Sequence, residues 1–134
     1  MSLLRPVFAS LVLLAAVPAT AAPLTVAPGE SWIFRIAGGE PVRARRVPAS
    51  RKPAPGEVKV TMLTALGTSL TLSSNNRVGY TFRAELLGVP ATAKQAAPRT
   101  CTLPANNQPV LEYWPTKAAK VRLSRFEQAA DGRC

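Results

Sequence analysis

One short stretch of this 134-residue chain is rich in basic residues that could bind phosphate or carboxylate groups. The basic residues of the stretch are Arg43, Arg45, Arg46, Arg51 and Lys52. No acid lies between Glu40 and Glu57, so the stretch suits an anionic ligand such as lipid A phosphates, an acidic glycan or nucleic acid. The alternative is a solvated edge strand, in which charge and proline prevent pairing with another sheet. Both interpretations stay open at the level of sequence.

A second basic cluster lies near the carboxyl terminus. Its members are Lys117, Lys120, Arg122 and Arg125. If residues 120–125 form a strand, Lys120 and Arg122 share one face. An ordinary solvated face would show the same pattern, and this is the interpretation that we favour for the cluster.

The segment Glu112-Tyr113-Trp114-Pro115 places two large aromatic residues next to each other. Tyr and Trp are common in recognition sites, because they bury much area for little conformational entropy. Neighbouring residues of a strand point to opposite faces, so simple alternation sends only one of the two into a core. We therefore expect Tyr113 and Trp114 to form a second candidate binding site, with one of them filling an end of the core.

The composition excludes most familiar catalytic and metal sites. The chain has no His and a single Asp, Asp131. Ser-His-Asp and Cys-His arrangements therefore cannot form, and two Cys residues without His cannot complete a tetrahedral zinc site. We expect a protein that is not an enzyme and that uses neither a metal nor a cofactor.

The charge balance indicates the kind of partner. The chain carries 17 Lys and Arg against 7 Asp and Glu, a formal net charge of +10. Proteins that bind single-stranded nucleic acid usually combine basic residues with exposed aromatics, whereas Trp32 and Phe34 fit a buried face. Export would also separate the chain from nucleic acid. We therefore expect an anionic surface, or another envelope or extracellular protein, as the partner.

Alternating apolar and polar residues predict strands over much of the chain. The predicted inward-facing residues are Trp32, Phe34 and Ile36; Val58, Val60, Met62 and Leu66; Leu70 and Leu72; and Val78, Tyr80, Phe82, Ala84 and Leu86. One apolar and one polar face per strand is typical of antiparallel sheets. About seven such strands predict an all-β fold, a small immunoglobulin-like antiparallel β-sandwich.

The connections follow turn chemistry. Asn tolerates positive φ, so Ser73–Asn76 is predicted to form a hairpin turn, and Gly67 marks another tight connection. The stretches without periodicity are predicted loops: Pro48–Gly56, Gly88–Arg99 and Leu103–Gln108. Residues 116–130 fit either a short helix or a strand. We favour the strand, which needs a bulge to bury Phe126.

Residues 1–22 have the features of a secretory signal peptide. Arg5 precedes the uncharged stretch Val7–Val17, and small residues near Ala21 and Ala22 suit signal peptidase. The alternative is a retained membrane anchor. Cleavage would leave residues 23–134 as a single domain without a transmembrane span, located in the periplasm or outside the cell.

Two cysteines, Cys101 and Cys134, form the candidate disulfide. An even number of cysteines in an exported protein is most simply paired. In the chain-entropy model, closing this loop lowers the entropy of the unfolded chain and so stabilises the fold by about 3.8 kcal/mol. An intermolecular bond and free thiols remain as alternatives.

The segment Asn75-Asn76-Arg77-Val78-Gly79-Tyr80-Thr81-Phe82 resembles a loop of chagasin-like inhibitors of cysteine proteases, which are small β-sandwiches. Asn75, Gly79, Tyr80 and the aromatic Phe82 match that loop. The Pro-Thr-Thr of the inhibitors' loop is absent, and so are their two other binding loops. No inhibitor site is therefore assigned to residues of this chain.

These observations favour an exported, non-catalytic protein that acts by binding. Its candidate sites are the basic stretch and the Tyr113/Trp114 segment. One alternative is an envelope or secretion component that adds the strand Arg43–Val47 to another sheet. The other alternative is a secreted inhibitor of a hydrolase.

Overall fold

The computed structural model describes residues 21–90 and 99–129, and these residues form strands and connections with no helix. The strands are β1 (Leu24–Val26), β2 (Ser31–Ala37), β3 (Glu40–Val47), β4 (Val58–Thr64), β5 (Thr68–Ser74), β6 (Tyr80–Leu87), β7 (Arg99–Leu103), β8 (Val110–Trp114) and β9 (Lys120–Gln128). The expected all-β class is confirmed, with nine strands in the described part of the chain instead of about seven.

The strands form two antiparallel sheets. The four-stranded sheet has the order β1-β9-β6-β7, and the five-stranded sheet has the order β3-β2-β4-β5-β8. Buried residues from both sheets belong to one apolar core, so the architecture is that of a β-sandwich. The two sheets therefore bury one face each and leave the opposite face outward.

The predicted inward faces are largely confirmed. Val58, Val60 and Met62 are fully buried, as are Leu70 and Leu72. Near them, the Phe126 ring packs between two other aromatic rings, with centroids 5.5 Å from Phe34 and 5.4 Å from Phe82. Two expected core residues are exposed: Leu66 lies in the turn after β4 and is 90% exposed, and Val78 lies between β5 and β6 and is 36% exposed. The strand ends before Leu66, so alternation no longer determines where its side chain points.

The expected hairpin at Ser73–Asn76 is wrong. Strand β5 belongs to the five-stranded sheet and β6 to the four-stranded sheet, so the chain crosses from one sheet to the other here. The Asn75 N–H donates to the Glu57 carbonyl, and the Gly56 N–H donates to the Asn75 carbonyl. These bonds hold the crossing segment against the residues before β4. The chain therefore does not reverse at Asn75 to pair with β5.

Residues 120–128 form strand β9, so the helical alternative is wrong. The pairing of β9 with β6 shifts between Arg83 and Thr81, which marks a bulge. Arg125 has a φ of 52° at this bulge. The extra residue restores the inward direction for Phe126, which is 3% exposed. The bulge that the strand interpretation required is therefore present.

Several sequence predictions fall outside the described residues. The signal peptide lies there apart from its last two residues, as do Cys134 and residues 91–98 of the predicted Gly88–Arg99 loop. Cys101 is 3% exposed and part of the core. Its pairing with Cys134 stays a prediction.

The described residues contain no helix of the length and apolarity that crossing a membrane would require.

The bulge at Arg125 gives a stability prediction. A β-branched residue is more strongly disfavoured at positive φ than an unbranched residue such as arginine, so Arg125→Val should lower the free energy of unfolding by about 1 kcal/mol. Arg125→Gly should change it by no more than about 0.5 kcal/mol, because glycine tolerates this φ. Urea unfolding of both variants measures the difference.

Arg83→Val on β6 is the matched control, since Arg83 is not among the residues with positive φ. Valine is favoured in ordinary strands, so this variant should lose no stability. Equal losses for Arg125→Val and Arg83→Val would contradict the role of the bulge.

Candidate binding face

Strand β8 separates the two aromatic residues that the sequence singled out. Trp114 points inward and is 2% exposed, whereas Tyr113 points outward and is 49% exposed. The guanidinium of Arg99 lies 4.4 Å from the Trp114 ring centroid and forms a 2.6 Å ion pair with Glu112. Trp114 thus contributes to the core, and Tyr113 alone remains as a surface residue of the predicted site.

Tyr113 belongs to a cluster of exposed apolar side chains on the outer face of the five-stranded sheet. Leu63, Ser69 and Tyr113 are neighbours in one cross-strand row. Leu111 lies two residues before Tyr113 on the same side of β8. The exposures of Leu63, Leu66 and Leu111 are 54%, 90% and 64%. We call Leu63, Leu66, Leu111 and Tyr113 the apolar patch.

Gly67 brings the β4–β5 turn against the end of β8. A Cβ at Gly67 would overlap the Trp114 carbonyl oxygen and would lie 3.0 Å from the Tyr113 hydroxyl. Glycine is therefore required here for the close approach of the two backbones. The approach brings the β4–β5 turn, which contains the exposed Leu66, close to the Tyr113 hydroxyl.

The basic stretch is divided between ion pairs and free surface. Arg45 pairs with Glu57 at 2.8 Å, and Arg46 pairs with Glu30 at 3.1 Å. Arg43 lies at a shift in the β2–β3 pairing with a φ of 51° and is exposed. Arg51 is also exposed, in the turn after β3. The five cations therefore do not form one continuous site.

The connection from β3 to β4, residues 48–57, lies over part of the outer face. Arg35 donates to the Pro55 carbonyl and Lys59 to the Ala49 carbonyl. Ile33 points to this side of β2, since Trp32 and Phe34 point to the core, yet it is fully buried. The connection therefore covers the basic half of the outer face, whereas the apolar patch at the other half stays open.

Glu57 anchors this connection through its carboxylate. One oxygen accepts a hydrogen bond from Arg45 and the other from the Ala54 N–H, each at 2.8 Å. The hydrogen bond from Arg45 is the main cause that lowers the pKa of Glu57 below its ordinary value of 4.5, and burial opposes this shift. The charged form of Glu57 is thus the form that the fold stabilises.

An open cavity of about 420 Å³ lies at the basic half of the outer face. Its lining residues are Lys52, Pro53, Ser73, Asn107 and Pro109. Ser73 is the direct cross-strand neighbour of Lys59, whose side chain binds the connection. The cavity therefore lies next to the part of the outer face that the connection covers. Of the predicted basic site residues, Lys52 lines this cavity.

The second basic cluster is also dispersed. Arg122 pairs with Glu85 across β9 and β6 at 2.6 Å. Arg125 holds the bulge, and Lys120 starts β9. Lys117 is exposed in the connection from β8 to β9, which Thr68 anchors through a hydrogen bond to the Thr116 carbonyl. Only Lys117 thus comes near the β4–β5 turn.

Sequence reasoning missed Leu63, Leu66 and Leu111 as candidate surface residues. Leu63 and Leu111 follow from alternation once Met62 and Trp114 are placed in the core. Leu66 is recognisable through Gly67, because a tight three-residue turn exposes its middle residue.

No family model, curated protein or solved structure matches this chain significantly. Within residues 21–90 and 99–129, no three Cys, Asp or Glu side chains are grouped so that they could hold a metal ion.

The lowered pKa of Glu57 predicts acid sensitivity. A carboxylate with a lower pKa in the folded than in the unfolded chain stabilises the fold above the unfolded value, and this contribution disappears as the pH falls through the folded value. Stability should therefore decrease as the pH falls below 4.5. Glu57→Gln should lower the free energy of unfolding at neutral pH by about 1–2 kcal/mol and flatten this decrease.

Urea unfolding at a series of pH values tests this expectation. Glu127→Gln is the control, because Glu127 is exposed and forms no salt bridge with a described residue. Its effect should stay within about 0.5 kcal/mol. An unchanged pH dependence in Glu57→Gln would show that Glu57 does not anchor the connection through its charge.

Proposed function

We propose that this protein is an exported, non-catalytic binding protein that docks through the outer face of its five-stranded sheet. The concentration of exposed apolar side chains on that face carries the proposal. The described residues contain five exposed large hydrophobic residues, and four of them form the apolar patch. Single exposed leucines are ordinary, but a concentration of exposed apolar side chains on one face is typical of an interaction site.

The local structure keeps the patch exposed. Trp114 occupies the inward position of β8, so Leu111 and Tyr113 face outward, and Gly67 holds the turn against them. Ser69 and Thr71 of β5 lie between Leu63 on one side and Tyr113 and Leu111 on the other, so small polar side chains separate the apolar members of the patch. A surface of this composition would bury apolar area on contact with a partner.

The strand-addition hypothesis has weaker support. Strand β3 does lie at an edge of the five-stranded sheet. Its proline, Pro41, lacks an N–H, and its pairing with β2 shifts where Arg43 adopts positive φ. Proline and bulges on edge strands are features that oppose pairing with a further strand. We therefore place the contact on the sheet face and not on the β3 edge.

The inhibitor hypothesis also has weaker support. Phe82 of the matching segment is fully buried, and Tyr80 packs against the core. Asn75 is bonded to the connection before β4. These residues support the sandwich and are not available as a protruding inhibitory loop.

The proposal also retains three features of the sequence analysis. They are export through the leader 1–22 to the periplasm or the exterior, a disulfide between Cys101 and Cys134, and an immunoglobulin-like arrangement of the sandwich. The alternating strands and the antiparallel sheets support the last of these.

Affinity capture tests the proposal. The protein, expressed with its own leader and purified after processing, is immobilised and exposed to envelope extract, and the retained proteins and lipids are identified. Leu66→Ser and Leu111→Ser should each reduce retention of the partner by about tenfold, which corresponds to about 1.4 kcal/mol. Both side chains are exposed, so the fold should tolerate the changes.

Val78→Ser is the matched control, because Val78 is 36% exposed but lies outside the patch, between β5 and β6. It should leave retention unchanged. If Leu66→Ser, Leu111→Ser and Val78→Ser all retained as much partner as the unchanged protein, this face would not be the binding site. Turnover of a substrate by the purified protein would contradict a non-catalytic role.

A further inference from the structure

We infer that the partner of the outer face is a bilayer surface containing anionic phospholipid, and this inference rests on the proposed function. The observation that carries it is a set of cations that form no salt bridge with a described residue and that share the outer face with the apolar patch. None of them forms a salt bridge with an acid in residues 21–90 or 99–129. They are Arg35, Arg51, Lys52 and Lys59 at one end of the face and Lys117 near the other.

Two acids of the described residues near this face, Glu57 and Glu112, are each paired with an arginine. Glu57 ends the connection that covers the basic half of the face, and its charge is neutralised by Arg45. Glu112 is paired with Arg99 at the open side between β7 and β8. The outward positions of strands β2, β4, β5 and β8 hold no acid. The face is therefore positive and complementary to an anionic surface.

The apolar and basic groups lie on one side of the sheet and can touch one surface together. Lys59 and Leu63 are four residues apart on β4 and point the same way, at a separation of about 13 Å along the strand. Ser73 of the cavity lies directly beside Lys59, and Tyr113 lies in the row of Leu63. The cavity at Lys52 is thus at one end of the face and the patch at the other.

The shape of the apolar patch favours a bilayer over a folded protein. Its most exposed member, Leu66, projects from a turn between two strands and does not line a groove. A projecting leucine can enter the headgroup region, and Tyr113 is of the type that prefers the membrane interface. Anionic headgroups attract nearby Lys and Arg, with an effect that salt reduces.

Vesicle co-sedimentation tests the inference with leader-processed protein, whose mass is checked because a retained leader would itself bind lipid. Vesicles with equal parts of phosphatidylglycerol and phosphatidylcholine should bind the protein, and pure phosphatidylcholine vesicles should bind it at least tenfold more weakly. Salt at about 0.5 M should release most of the protein. Leu66→Ser should weaken binding by about fivefold to tenfold.

Lys52→Glu and Arg83→Glu form the matched pair for charge. Both change the net charge equally, but Arg83 lies on β6 of the other sheet and outside this face. Lys52→Glu should weaken vesicle binding by more than about tenfold, whereas Arg83→Glu should have at most a twofold effect. Thermal unfolding of each variant verifies that it is folded.

If Lys52→Glu and Arg83→Glu weakened vesicle binding equally, the net charge alone would explain the binding. The assignment of lipid binding to this face would then be overturned. Absence of binding to the anionic vesicles would overturn the lipid inference. If envelope extract then still yielded a protein partner that required Leu66 and Leu111, the proposed function would stand with a protein as the partner. If neither vesicles nor extract depended on these leucines, both proposals would fail.

Discussion

Strand β8 can send only alternate side chains into the core, and Trp114 occupies the inward position at its end. This placement determines the direction of every other residue of the strand. Because Trp114 is buried against Arg99, Leu111 and Tyr113 must lie on the outer face. The close approach at Gly67 then places the β4–β5 turn, with Leu66, beside Tyr113. The candidate binding surface is therefore a direct result of how the end of the core is filled.

The ion pairs have a second consequence for the surface. In residues 21–90 and 99–129, four glutamates are each paired with one arginine, and these pairs join neighbouring strands or tie connections to strands. With 17 basic and 7 acidic residues in the chain, most cations find no acid within the protein. Partly exposed ion pairs contribute little stability, so their main effect here is to remove negative charge from the surface. The remaining positive charge is available to an external partner.

Much of the fold could be predicted because the alternation of apolar and polar residues along a strand indicates directly which side chains are buried. The inward faces of β2, β4, β5 and β6 and the bulge before Phe126 followed from the order of apolar residues. The crossing at Ser73–Asn76 could not be predicted, because Asn tolerates both a hairpin and a crossing between sheets, and the choice depends on bonds from Asn75 to Gly56 and Glu57. For the candidate site, the sequence indicated that one of Tyr113 and Trp114 would face outward but not which one, because that depends on how the end of the core is filled. The partners of Arg45 and Arg46 depend on contacts distant in sequence, which local spacing does not reveal.

Hydrogen exchange with and without the bound partner tests the central claim most directly. If the outer face of the five-stranded sheet is the contact surface, binding should protect residues 63–68, which contain the β4–β5 turn and its flanking strand ends, and strand β8, residues 110–114. Residues 75–79 and the four-stranded sheet should exchange as in the free protein. Protection confined to β3 or to residues 75–82, with none at the β4–β5 turn or β8, would contradict the account.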